Sequence, residues 1–319
     1  MISGGKTGGL LECAFYTVLI AFTGLIAIFI PNLYFLSTVL MPLPACLLVL
    51  RLDARYSILG IVTSLFIMLF VAQELMSLIM VLHYGLLGMI LGLFVKNRVS
   101  SGRSLIAVMS VSAVLAVISV VVIYALTKEN PLILSQETRQ FLEQILATNQ
   151  QALDGIMSEQ QVGFVENFVG IFEMLLPGQL VVTAAVSALI SYFLTKVLLE
   201  RLLKYKLPQL PAFHEIYLPW YSIWGVIAGL GLILLGDQVA LPLAAKIGRN
   251  ILFVFLNVYP VFGLSVVTYY YRRINLGVPL KIIFIFLAFS YLPFSATVLL
   301  LLGAMDPLIN FRRLPALKE

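Results

Sequence analysis

The side chains best able to do chemistry in this sequence are the few ionisable and amide groups that interrupt long apolar runs. His83 stands about eight residues into the apolar run 75–95, at a depth of about 12 Å if each helical residue adds 1.5 Å. An ionisable side chain at membrane depth is costly and is by default a candidate site. We therefore predict that His83 either hydrogen-bonds a neighbouring helix or lines a cavity as a ligand or proton carrier.

A second set of polar residues stands at the ends of the apolar runs. If the helix bundle brings these ends to one outer opening, their side chains would form a ligand site with His83. Solvated residues at the membrane interface are the alternative. The candidate ligand residues are His83, Glu74, Gln73, Asn32, Tyr34, Glu173 and Gln179, and Asp237 follows a further run.

The motifs of common enzyme classes are absent. The sequence has no HExxH, GxSxG or CxxC motif and no glycine-rich phosphate loop with a lysine. His83 and His214 are the two histidines, which makes a multi-histidine metal site unexpected. We predict that the protein is not an enzyme and has no metal or cofactor. Any transport would then use an ion gradient or a separate ATPase subunit.

The composition indicates that lipid surrounds most of the chain. Of its 319 residues 61% are hydrophobic and 11% are charged, and the mean hydropathy is +1.05. A soluble domain carries about 25% charged residues, so water could not solvate this surface. The net charge of +5 is small for nucleic-acid binding, and no nucleic-acid partner is expected. Cys13 and Cys46 stand in apolar runs and should be free, buried thiols.

The apolar runs predict a polytopic bundle, since a span needs about 20 residues. With a cytoplasmic N-terminus, most lysines and arginines fall in the inner segments, whereas 127–166 has two basic residues and six acids. The positive-inside rule therefore favours this orientation. The nine candidate spans are 10–30, 33–50, 56–72, 75–95, 104–126, 177–199, 217–236, 247–271 and 280–303.

Prolines help to set the ends and bends of these spans. Pro177 is expected in the first turn of the sixth span, and Asn257 and Pro260 together are expected to kink the eighth. Nine crossings would place the basic tail, 311–313, on the outer side, against the positive-inside rule. The alternatives are that Pro293 breaks the last run into a re-entrant pair, or that one short span does not cross. Segment 127–166 repeats apolar residues at helical spacing and predicts amphipathic helices on the outer side.

The segment LPQLPAFHEIYLP, residues 207–219, is too broken to be a span and too apolar to be an ordinary loop. Its prolines end the preceding basic helix, and the aromatic residues that follow match an interfacial belt. We predict a stiff elbow at the inner membrane face. The candidates for docking a cytoplasmic partner are Phe213, His214 and Glu215, with a well-anchored turn as the alternative.

Three segments resemble the YybS-like family of bacterial predicted membrane proteins. They are the elbow PxxPxFxExxLP (208–219), the tail LGAMDPLINFRR (302–313) and IPNLYFLSTVLMPLPACLLVLRLDARYSILG (30–60). The likeness follows span order along the whole chain. It implies a multi-pass protein of the bacterial cell membrane, and the family carries no settled biochemical function.

The first five spans also resemble the substrate-binding membrane subunits of energy-coupling-factor vitamin transporters. Those subunits dock a coupling subunit through small residues on their first helix. The corresponding stripe here consists of Ala14, Thr17, Ala21 and Gly24, which share one helix face. The resemblance implies a coupling or ATPase partner at this stripe, and packing within the chain is the alternative.

These observations predict an all-α, polytopic transmembrane helix bundle of eight or nine spans with amphipathic outer-loop helices. The predicted regions are a five-span bundle (1–126), an outer loop (127–176) and a C-terminal region of three to four spans (177–319). The functional hypothesis is small-solute binding or transport in contact with the lipid bilayer. The alternatives are a structural or regulatory protein acting through protein contacts and, more weakly, an intramembrane enzyme.

Overall fold

The chain is helical wherever its structure is described. The computed structural model describes residues 6–134, 136–138, 140–141, 144, 159–201, 204–205, 207–274 and 277–313, and these contain no strand. Nine helical segments in the described part, with Pro31–Arg51 counted as one, are long and apolar enough to cross a membrane. The predicted all-α polytopic bundle is therefore confirmed. Much of the predicted amphipathic loop, including 145–158, lies outside the described residues.

The helices follow the predicted spans closely. They are α1 (Lys6–Phe29), α2 (Tyr34–Leu40), α3 (Pro42–Arg51), α4 (Ala54–Val71), α5 (Leu75–Lys96), α6 (Ser101–Thr127), α7 (Glu159–Arg201), α8 (Ile223–Gln238), α9 (Pro242–Arg273), α10 (Val278–Ser290) and α11 (Leu292–Ile309). Short 3₁₀ turns cover Pro31–Leu33, Phe213–Glu215 and Trp220–Ser222.

Two of the predicted helix boundaries are wrong. Pro177 lies inside α7 and not in a first turn. The predicted last span, 280–303, is divided at Tyr291 into α10 and α11, with Pro293 at the start of α11. The 13 residues of α10 extend about 20 Å, less than the roughly 30 Å hydrocarbon core of a bilayer. The break at Pro293 was thus the correct alternative.

The chain forms two compact units. The first contains residues 1–131 and 180–210, and the second contains 132–179 and 211–319. Helix α7 contributes to both, because the division falls between Gln179 and Leu180. The three regions predicted from the sequence divide the chain at other positions, and that division stays a prediction.

Glycines bring α5 close to α3 in the first unit. A Cβ on Gly88 would overlap the backbone of Pro42, and one on Gly92 would lie 2.8 Å from the carbonyl oxygen of Cys46. The two contacts advance together along both helices, so α3 and α5 run parallel. Large side chains such as Ile20 are fully buried beside them. This close approach fixes α5, which carries His83.

The second unit is built around α9. Glycines of α8 face α9 in the antiparallel direction, with Gly236 against Ala245 and Gly225 against Phe255. Helix α11 crosses α9 where Gly263 faces the backbone of Leu299 and Gly303 faces that of Tyr259.

The contacts of α11 also place the tail. The hydroxyl of Tyr270 on α9 donates to the Phe311 carbonyl at 2.7 Å. The glycine contacts mark one crossing point, where a Cβ on Gly303 would also lie 2.9 Å from the Gly263 nitrogen. The Tyr270–Phe311 contact lies farther along both segments, so α9 and α11 run parallel. The tail therefore ends on the face of this unit where α9 ends.

Candidate functional site

A line of polar side chains runs between α5, α6 and the 180–201 part of α7 in the first unit, and we call it the polar seam. It forms because serines and threonines of α6 and α7 recur at helical spacing and so share one face of each helix. Small side chains there let the helices approach and form hydrogen bonds between them. The polar seam consists of His83, Tyr84, Ser101, Ser104, Ser112, Ser187, Ser191, Tyr192, Thr195 and Lys196.

His83 anchors one end of the polar seam. Its Nε2 lies 2.9 Å from the Ser112 hydroxyl, and that hydroxyl donates to the Ala184 carbonyl at 3.0 Å. Since the Ser112 proton is used on Ala184, the geometry assigns the Nε2 proton to His83, which donates to Ser112. No described residue forms a hydrogen bond with Nδ1. The prediction that His83 bonds a neighbouring helix is confirmed, and Nδ1 stays open to accept a proton.

Further hydrogen bonds continue the polar seam along α7. The hydroxyls of Tyr84 and Ser187 lie 3.2 Å apart. The Tyr192 hydroxyl donates to the Ser101 carbonyl at 3.4 Å. The Lys196 ammonium donates to the Pro208 carbonyl at 3.0 Å, and the Ser101 hydroxyl donates to the same carbonyl. From the level of Ala184 to that of Lys196 the polar seam covers about 18 Å of helix at 1.5 Å per residue.

Two hydroxyls in the middle of the polar seam have no hydrogen-bond partner among the described residues. They belong to Ser191 and Thr195, whose side chains are fully buried. Near the Lys196 end, Ser104 and Tyr192 help to line a cavity of about 10 Å³, a size that can hold one water. Buried hydroxyls without partners are costly, and neither Ser191 nor Thr195 is among the residues that line this cavity.

The other candidate ligand residues are not among the residues that define the polar seam, although Tyr34 lies close enough to Tyr84 for the two side chains to interact electrostatically. In the first unit Asn32, Tyr34, Gln73 and Glu74 are exposed, and Gln73 has a left-handed backbone with φ of 55°. In the second unit Glu173 and Gln179 are partly buried, and the exposed Asp237 pairs with Arg249 at 3.6 Å. Their role in ligand binding stays a prediction.

The small-residue stripe of α1 is mostly covered by the chain itself. Thr17 and Ala21 are buried. Gly24 faces Met68 and Val81, whereas Ala14 is exposed. The structure therefore describes the packing alternative for three of the four residues, and contact with a partner subunit stays a prediction.

The elbow is fixed by a buried arginine from the tail. Arg312 is 3% exposed and donates to the carbonyls of His214 and Ile216, both at 2.9 Å. It also donates to Ser265 and to the carboxylate of Asp306, both at 2.7 Å. The elbow and the tail, which carry two of the family-like motifs, thus meet in one network within the second unit.

The exposure of the three docking candidates differs. Phe213 is 40% exposed, Glu215 is exposed, and His214 is partly buried. The Arg312 network was not predicted from the sequence. Its available signal was an aspartate in the last apolar run, six residues before an arginine.

Asn250 supports the helix beside Pro177 inside α7, a role that was not predicted from the sequence. The amide of Asn250 accepts from the Gly178 N–H at 2.7 Å and donates to the Met174 carbonyl at 2.9 Å. These two backbone groups would otherwise bond each other in a regular helix. The side chain therefore bridges the interruption beside Pro177. The signal was an Asn near the start of the apolar run 247–271. The predicted kink partner Asn257 instead donates to the Phe253 carbonyl of its own helix.

The described residues contain no group of three or more His, Cys, Asp or Glu side chains that could hold a metal ion. Cys13 and Cys46 are free and buried, as predicted. The chemistry that the first unit offers is thus hydrogen bonding by hydroxyls, with an ionisable group at each end of the polar seam.

Comparison with known proteins gives one family match. The profile of a family described as predicted membrane protein (DUF2232) matches residues 18–307. No curated protein and no solved structure matches the chain. The resemblance to membrane proteins is therefore confirmed at the level of this family, whereas the YybS-like designation and the likeness to energy-coupling-factor subunits stay predictions. The match covers most of the chain, which belongs to the DUF2232 family of predicted membrane proteins.

Proposed function

We propose that this integral membrane protein binds a small polar solute in its first unit and moves it across the membrane with proton exchange at His83. The observation that carries the proposal is the polar seam, in which one ring nitrogen of His83 has no partner among the described residues. Polar groups inside a membrane domain often mark solute pathways or proton relays. The proposal includes no enzymatic step.

The polar seam has the chemistry for such a role. A histidine ring is a side chain that can gain and lose a proton during a transport cycle. Nδ1 of His83 can accept that proton while Nε2 keeps its bond to Ser112. The unpartnered hydroxyls of Ser191 and Thr195 can then donate to or accept from a solute or water farther along α7. Lys196 provides a fixed cation at the opposite end.

The arrangement in the membrane is part of this proposal. We place the protein in the bacterial cell membrane with its N-terminus in the cytoplasm. The positive-inside rule supports this orientation, and so does the tail, because Arg312 contacts the elbow. Arg272 and Arg273 at the end of α9 then share the cytoplasmic side with the tail.

Reconstituted liposomes test the proposal. The protein is placed in vesicles that contain a pH-sensitive dye, and a potassium diffusion potential drives proton entry. We expect faster acidification than in protein-free vesicles. His83→Gln keeps an N–H donor for Ser112 but cannot be protonated. We therefore expect the rate of acidification above that of protein-free vesicles to fall about 10²-fold, which is typical for removal of a positioned proton-transfer group.

Solute binding is measured in parallel by thermal unfolding with a panel of vitamins and amino acids. A bound solute at 100 times its Kd stabilises by about 2.7 kcal/mol. The matched control is Ser119→Ala, because the Ser119 hydroxyl donates only to Leu115 of its own helix and should change nothing. Wild-type vesicles that acidify no faster than protein-free ones, with no stabilising solute, would overturn the proposal.

The elbow supports a second candidate function, docking of another membrane or coupling protein. The specific observation is that Arg312 holds the backbone of the elbow while leaving Phe213 and Glu215 exposed. A rigid, exposed aromatic residue binds at low entropic cost. Co-purification of ATPase and coupling subunits that is lost in Phe213→Ala would support docking. Phe70→Ala, at an exposed position of the first unit, is the control for the loss of an exposed aromatic side chain.

A further inference from the structure

The second unit contains an apolar groove beside the end of α9. It has a volume of about 420 Å³ and is lined by Val266, Tyr270, Tyr271, Phe284, Leu302 and Phe311, among others. Binding sites for small molecules have volumes of about 300–1,000 Å³ and are lined mainly by apolar and aromatic side chains. The groove is therefore large enough for part of an acyl chain.

Positive charge surrounds the end of the groove at Tyr271. The Lys281 ammonium lies 5.1 Å from the ring centroid of Tyr271, which lines the groove. The Arg273 guanidinium lies over the Tyr269 ring, 4.7 Å from its centroid, and Tyr269 is not among the residues that line the groove. Residues 266–305 contain three basic residues and no acid. No described residue forms an ion pair with Lys281, so its N–H groups can donate to an anion.

We propose that this groove binds one anionic phospholipid from the surrounding bilayer. Its acyl chain lies against Val267, Phe284 and Leu302, which line the groove, and its phosphate lies beside Lys281. The charge pattern selects an anionic headgroup over a zwitterionic one, because each basic residue near a membrane surface contributes about 1 kcal/mol toward anionic lipid. This site is separate from the polar seam and does not depend on a transport function.

Native mass spectrometry tests the site. The full chain is purified from mixed micelles that contain equal amounts of phosphatidylglycerol and phosphatidylcholine. We expect one retained phosphatidylglycerol, in excess over phosphatidylcholine. Lys281→Ala should lower that retention about fivefold, the fold-change of one such charge, and Val267→Trp should abolish it by filling the groove. Lys246→Ala, at the other end of α9, removes equal charge and should leave retention unchanged.

Several results would overturn the proposal. They are equal retention of both lipids, an equal loss in Lys246→Ala and Lys281→Ala, or displacement of the lipid by inorganic phosphate alone. Elution profiles and thermal unfolding of each variant show whether it is folded. If Val267→Trp fails to fold, the comparison of Lys281→Ala with Lys246→Ala still decides the outcome.

Discussion

In the first unit, hydroxyl groups join α5, α6 and α7: Ser112 bonds the Ala184 carbonyl and Tyr84 meets Ser187. In the second unit, glycines bring α9 and α11 into backbone contact, and a buried Arg312–Asp306 pair joins the tail to this helix pair. Both arrangements satisfy the same need, since lipid provides no hydrophobic force between helices and close packing or hydrogen bonds must replace it.

The two units differ in how much stability is lost when a single contact is removed. Hydrogen bonds between membrane helices average about 0.6 kcal/mol each, so the loss of one hydroxyl leaves the others in place. The second unit combines glycine contacts with one buried ion pair, whereas the first unit combines the glycine contacts of α3 and α5 with the hydroxyls of the polar seam. The buried ion pair is therefore the least replaceable of these contacts, and it holds the elbow.

The strongest test of this comparison is Arg312→Met. The substitution leaves the Asp306 carboxylate buried and removes the donors for the His214 and Ile216 carbonyls. Breaking a buried ion pair by removing one partner costs about 3–5 kcal/mol. We expect a loss of this size in the free energy of unfolding, measured by denaturing detergent in mixed micelles.

Two variants give this prediction its controls. The neighbouring Arg313 is exposed, and Arg313→Met should change stability by less than about 0.5 kcal/mol. The double variant Asp306→Leu with Arg312→Met removes both charges and should recover part of the loss. Equal effects of Arg312→Met and Arg313→Met would show that the buried pair does not hold the elbow.

The next largest loss of stability is expected from a substitution at the crossing of α9 and α11. A Cβ on Gly263 would overlap the carbonyl group of Leu299, whereas one on Gly231 of α8 would meet open space. We expect Gly263→Ala to cost about 1–3 kcal/mol through overpacking. Gly231→Ala should stabilise by about 0.5–1 kcal/mol, since alanine is the better helix former. Thermal unfolding measures the change in stability of each variant. Changes of the same sign in both variants would contradict the prediction.

A smaller loss of stability is expected when the Asn250 side chain, which bridges the backbone beside Pro177, is removed. Asn250→Ala leaves the Gly178 N–H and the Met174 carbonyl unpaired, at a cost of about 1–2 kcal/mol. The control is Asn257→Ala, since its side chain bonds only its own helix and is exposed. Adding Pro177→Ala to Asn250→Ala should restore stability, because the helix can then close its own hydrogen bond. No rescue would show that the amide does more than bridge the proline.

Helices in this chain were predictable because span length and hydropathy are local properties of the sequence. The predicted runs correspond to the observed candidate spans except in the last one, where Pro293 interrupts an apolar stretch. Pro177 was misplaced because a proline alone indicates a first turn. Asn250, which supports this proline inside a helix, comes from a segment more than 70 residues away.

The candidate site was predictable only in part for the same reason. His83 was identifiable because an ionisable residue in an apolar run is rare. Its partner Ser112 was not, since serine is common on helix faces that pack together. The Arg312 network likewise depends on α9 and α11 running parallel, a property that no local pattern in the sequence specifies.

The smallest effect should come from an exposed charge in the first unit, the counterpart of the buried pair in the second. Asp53 precedes α4, where its carboxylate accepts from the Ala54 N–H at 2.8 Å and from Lys96 at 3.1 Å. The Ala54 N–H, followed by the Lys96 ammonium, lowers the pKa of the Asp53 carboxyl below its usual value. A lowered pKa in the folded state contributes stability above the unfolded pKa of about 4 and loses it as the pH falls below that value.

Asp53→Asn keeps a side-chain oxygen that can cap α4 but removes the charge. We expect a smaller change in thermal stability than for any substitution above, because solvent and salt screen exposed ion pairs. The difference from wild type should be present at neutral pH and disappear on acidification below about pH 4. A difference that persists in acid would assign the effect to the helix cap and not to the charge. A stability change for Asp53→Asn as large as that for Arg312→Met would contradict the view that the buried ion pair of the second unit matters more than the exposed one of the first.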